Sequence, residues 1–107
     1  MQINDEILAR IKDTILKTTD CENIYLFGSR AYGTARKDSD YDFFVVLKDD
    51  IENKYPILEQ ISLNIAKAKF NMPIDVLAEK KCFFEERSGF ASIERKIKRD
   101  GVLLYAR

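Results

Sequence analysis

Histidine is absent from the 107 residues, and that absence excludes more chemistry than any other feature of the composition. A Ser-His-Asp or Cys-His nucleophilic device cannot be assembled, and a His-ligated zinc site cannot form. Any acid–base or metal chemistry falls to carboxylates, lysine, tyrosine or cysteine. Cysteine itself is scarce. Cys21 and Cys82 are too few for a disulfide framework and lack the spacing of zinc ligands. Both are expected to be reduced thiols, buried as small hydrophobes.

An excess of one charge is lacking as well. Lys plus Arg number 18 and Asp plus Glu number 18, a formal net charge of zero. This argues against a chain whose main business is gripping nucleic acid, though it leaves room for a local basic patch. No apolar run approaches the roughly 18 residues of a membrane-spanning helix, and no signal peptide is apparent. The expected setting is therefore the cytoplasm, with no membrane partner. Repeats, low-complexity tracts and Pro/Gly/Ser-rich linkers are also missing, so residues 1–107 are expected to form one domain.

What is present is regular patterning. Residues 4–18 carry Ile7, Leu8, Ile11, Ile15 and Leu16 at helical spacing, with Asn4 as cap and Asp5 and Glu6 in the first turn. The apolar run 23–27 predicts a strand stopped by Gly28, and a short helix is expected from Ser29. YDFFVVL, residues 41–47, is the strongest strand signal in the chain. Residues 55–70 show a broad apolar helical stripe, and 73–78 a third strand opened by Pro73. A helical turn over 80–86, a further helix over 88–99 and a last short strand follow. The order predicts an α+β (α/β-like) fold, a small mixed sheet flanked by helices.

Asp40 and Asp42 stand at the mouth of the strongest strand. Two carboxylates there repel each other and lose water, a cost that needs an offsetting partner. Side chains two apart on a strand share a face, about 7 Å apart along the backbone. A hard divalent cation such as Mg²⁺ would remove the repulsion. Asp75, flanked by Ile74, Val76 and Leu77, is a candidate third carboxylate. Taken alone it serves equally well as a solvent-facing residue of an edge strand; beside the aspartate pair the functional reading leads. Three carboxylates are able to hold two metals roughly 3.5–4 Å apart, the geometry of in-line phosphoryl or nucleotidyl transfer. Gly28-Ser29 offers a close backbone approach and a helix start for phosphates, with Ser29 also able to cap that helix. Alone, Gly-Ser is an ordinary turn; it is neither a P-loop nor a dinucleotide fingerprint.

The combination GSRAYG…SDYD, residues 28–33 and 39–42, resembles the signature of the DNA polymerase beta-like nucleotidyltransferase superfamily. Its short form, with Ser39 before the first aspartate and a third aspartate some thirty residues on, resembles the minimal nucleotidyltransferases. These are often antitoxins paired with an all-helical HEPN toxin. The resemblance implies that Asp40, Asp42 and Asp75 are catalytic and bind two Mg²⁺ ions, with Asp75 helping to activate the attacking hydroxyl. It implies that Gly28 and Ser29, with Arg30 nearby, bind the phosphates of ATP. The implied reaction is AMP transfer to a hydroxyl, a tyrosine of a HEPN toxin. Many minimal members carry arginine where this chain has Tyr32; Arg30, Arg36 and Lys37 are candidate replacements for that charge. Two alternatives are a small-molecule, aminoglycoside-type acceptor held by a separate helical subunit, and an antitoxin that acts by contact alone.

Overall fold

The computed structural model describes residues 5–36 and 39–107; the expected cap at Asn4 and the candidate cation Lys37 lie outside them. The elements run α1 (Asp5–Thr18), β1 (Cys21–Phe27), α2 (Ser29–Tyr32), β2 (Tyr41–Leu47), α3 (Lys54–Ala68), β3 (Ile74–Lys80), α4 (Lys81–Arg87), α5 (Ile93–Asp100) and β4 (Val102–Ala106). The strands form one mixed sheet of order β3-β2-β1-β4. β1 is antiparallel to both neighbours, while β2 and β3 are parallel and joined through α3. A parallel pair needs such a crossover, because a tight hairpin returns the chain in the opposite direction. The α+β expectation with a small mixed sheet holds.

Alternation along β2 decides how the sheet is covered. Phe43, Val45 and Leu47 enter one apolar cluster with Leu8, Ile11 and Ile15 of α1 and Ile61 of α3. Phe44 and Val46 enter a second with Phe84 of α4 and Ile97 of α5. All seven residues of β2 except Asp42 are buried. Each such large apolar side chain stabilises the fold by about 1.5–3 kcal/mol, so a charged residue in this strand is an exception that needs a cause.

Local chemistry sets the element ends. Asn53 caps α3 by accepting from the Tyr55 backbone N–H at 3.0 Å, and Lys69 closes it in the left-handed region at φ 55°. The helix expected over 88–99 begins only at Ile93, because Ser92 is extended and its hydroxyl accepts from the Arg95 N–H at 3.1 Å. Residues 88–92 form the turn between α4 and α5. Cys21 is buried, and desolvation pushes its thiol up to about 11. Cys82 is exposed, against expectation: it lies at the start of α4, where its backbone N–H donates to Asp49 at 2.8 Å. Among the described residues no helix is long and apolar enough to cross a membrane.

Candidate active site

The parallel register of β2 and β3 sets Asp42 directly opposite Asp75, with Tyr41 opposite Ile74. Paired residues in a ladder point to the same face, so the two carboxylates meet above the sheet. Asp40, one residue before β2, joins them from the strand entrance, where the Tyr41 N–H donates to the Pro73 carbonyl at 3.0 Å. One oxygen from each of Asp40, Asp42 and Asp75 lies within 4.8 Å of the others. Asp75 is exposed on an edge strand and stands beside the aspartate pair.

Gly28 explains how Asp42 fits. Phe27, the last residue of β1, pairs with Asp42, so the chain turns off directly beside this carboxylate. Gly28 has φ +76°, and a Cβ there would lie 2.2 Å from Asp42 Oδ2. Glycine is required twice, for the backbone angle and for the space. Gly28 also occupies the N-cap of α2, the place expected for Ser29, and no side chain caps this helix. Instead the Gly28 carbonyl accepts from the N–H groups of Ala31 and Tyr32 at 3.0 and 3.1 Å. With only four residues, α2 is a single turn ended by Gly33 in the left-handed region.

Arg30 fixes the loop on the other side. Its Nε and Nη2 donate to the Ser39 carbonyl at 3.1 and 2.9 Å, and its guanidinium lies 4.1 Å from the Tyr41 ring centroid. Ser39 and Tyr41 flank Asp40, so this bidentate bond and cation–π contact hold the segment that delivers Asp40. The Ser39 hydroxyl in turn accepts from the Arg36 N–H at 2.7 Å.

The electrostatics record an uncompensated cluster. Burial, then the charges of Asp75 and Asp40, push the Asp42 carboxyl above its ordinary value of 3.8. A donor set of three carboxylates, one half-buried and strained by like charge, fits a hard divalent cation. The folded chain holds the Asp42 proton more tightly than the unfolded chain. Stability therefore falls as pH rises from 3.8 through the folded value, and stays lowered at neutral pH. Asp42→Asn should accordingly melt a few degrees above the wild type at pH 7 in chelator. That gain should shrink toward pH 4, as thermal melts across pH would record.

A cleft of about 630 Å³ lies between α2 and α5, lined by Ala31, Tyr32, Thr34, Lys96 and Asp100. The half-buried Tyr32 phenol is pushed up by desolvation, opposed by the nearby Gly28 backbone amide, and lies within electrostatic reach of Asp42. Lys96 and Asp100 reach the cleft from α5. On the same helix Glu94 is 5% exposed and accepts from Arg87 Nε at 2.8 Å. No pattern in the sequence ties α5 to α2; only the sheet brings them together.

A model of the polymerase beta nucleotidyltransferase family matches residues 9–107. The chain belongs to this nucleotidyltransferase family. Among solved structures, a nucleotidyltransferase candidate from Sulfolobus solfataricus is similar at TM-score 0.61 and 25% identity, over 95% of this chain and 79% of that one. A toxin–antitoxin with AMP-PNP is similar at TM-score 0.62 and 20% identity, over 98% of this chain and 75% of that one, a likeness of fold alone. No curated protein matches the chain.

Proposed function

We propose that this domain is an antitoxin that transfers AMP from Mg²⁺-bound ATP to a hydroxyl, a tyrosine, of an all-helical HEPN-type toxin in the cytoplasm. The observation that carries the reading is the convergence of Asp40, Asp42 and Asp75 within 4.8 Å beside Gly28. Family membership supports the reaction class. The fold shared with a toxin–antitoxin with AMP-PNP supports the partner and the nucleotide. Leu77, two residues along β3 from Asp75, stands exposed and shares a pocket with exposed Ile93, which suits an acceptor arriving on a second chain.

Asp40 and Asp42 hold the metal side of the nucleotide, with Asp75 completing the ligand set. Two Mg²⁺ ions, when bound, supply charge neutralisation on the triphosphate and the departing pyrophosphate. Gly28 and Ser29 line the phosphate side, while Arg30 fixes the Asp40 loop next to them. Asp75, on the open edge, orients the acceptor hydroxyl and takes up its proton. The hydroxyl oxygen bonds to the α-phosphorus as the bond to the β-phosphate bridge breaks, and pyrophosphate leaves. Positioning and charge placement carry such a reaction, so histidine is not needed.

Asp75→Asn tests this division of labour. The variant should still bind ATP with Mg²⁺, by calorimetry, while transfer falls by about two to four orders of magnitude. Unaltered turnover would remove Asp75 from the site.

A further inference from the structure

The three carboxylates are able to hold metal but supply no positive charge to the polyphosphate itself. Arg30 is engaged with Ser39 and Tyr41. The cleft between α2 and α5 supplies a cation from a distant part of the sequence. Lys96 Nζ lies 4.8 Å from the Tyr32 ring centroid, and the same cleft is walled by Thr34 and Asp100. The Asp100 carboxylate is held by Arg99 at 2.9–3.1 Å and also lies within electrostatic reach of Lys96. Among the described residues Lys96 forms no salt bridge, and its ammonium faces the cleft from above the ring.

Location narrows the ligand. Tyr32 follows Gly28 by one turn, and Gly28 touches the Asp42 carboxylate. Asp42 therefore lies within electrostatic reach of Tyr32, which walls the α2–α5 cleft. The cleft volume of about 630 Å³ is within the usual range for small-molecule sites. A triphosphate carries about four negative charges, and a metal pair leaves its far end in need of a donor.

We propose that Lys96, pre-placed over the Tyr32 ring, binds the β- and γ-phosphates of the nucleotide and makes the site selective for a polyphosphate over a monophosphate. This rests on the reading of the carboxylate cluster as a nucleotide site. The test is the affinity of the wild type, Lys96→Ala, Lys96→Arg and the Asp40→Asn, Asp42→Asn double variant for ATP and for AMP. Both ligands are titrated with Mg²⁺ by calorimetry. Lys96→Ala should weaken ATP by about 10-fold or more and leave AMP unchanged, as loss of one charge-assisted bond predicts. Lys96→Arg should return ATP to within about threefold, because it restores the charge. Equal weakening of ATP and AMP, or no weakening of ATP, overturns the proposal. If ATP still needs the aspartates but ignores Lys96, only this inference fails. If the wild type binds no ATP, the nucleotide reading fails and the inference with it. Lys96 is exposed, so its replacement leaves the core intact.

Discussion

Replacing Asp40 and Asp42 together by asparagine is expected to lower nucleotidyl transfer by about three to four orders of magnitude while the protein stays folded. The size follows from the role: a metal clamp on a developing pyrophosphate is worth several kcal/mol, and each 1.36 kcal/mol is about tenfold in rate. Asparagine keeps the shape and removes the charge, so it spares the packing of β2. The metal-free double variant should be at least as stable as the wild type, since the repulsion that raises the Asp42 pKa is gone. Millimolar Mg²⁺ with ATP should raise the melting temperature of the wild type and not of the variant, because only a folded state that binds ligand gains from it. Melting curves and transfer rates on the same preparations separate loss of chemistry from loss of fold.

Gly28→Ala should damage stability and chemistry together. Alanine at φ +76° carries strain of about 1–3 kcal/mol, and its Cβ would sit 2.2 Å from Asp42 Oδ2. The Asp42 carboxylate must then swing away, or the Phe27–Asp42 pairing must open. The expected result is a melting temperature lower by about 5–15 °C and transfer reduced to the level of an Asp42 variant. Coupling distinguishes this from ordinary backbone strain. In an Asp42→Ala background the clash is relieved, so Gly28→Ala should cost clearly less than in the wild type. Equal costs in the two backgrounds would remove Asp42 from the explanation.

The legible parts of this fold were those governed by local chemistry. Tyr41–Leu47 was readable to its ends because a run of β-branched and aromatic residues has few alternatives to a strand. The aspartates were readable because a charge inside such a run is costly. Their meeting with Asp75 was guessed as a neighbour relation, but the Asp42–Asp75 register depends on how α3 returns the chain to β3, which no local pattern encodes. Gly28 was singled out for a phosphate; the neighbour found against it is Asp42. The turn over 88–92 was hidden because Ser92 and Gly89 act only after the helix has a place to stop. Phe84 is buried while Phe83 is 47% exposed, since neighbours on a helix face different sides. Arg30, which the resemblance sets beside the phosphates, donates to the Ser39 carbonyl nine residues on, a pairing that no local pattern encodes. Long-range pairing, not propensity, decides such cases.

The central claim is tested most directly by incubating the protein, Mg²⁺ and a co-purified all-helical toxin partner with ATP labelled at either the α- or the γ-phosphate. The account predicts label on a partner hydroxyl from the α-position only, with one pyrophosphate released per AMP transferred and neither product with the Asp40→Asn, Asp42→Asn variant. Label arriving from the γ-phosphate, or an unlabelled partner that is nonetheless bound and neutralised, would contradict it.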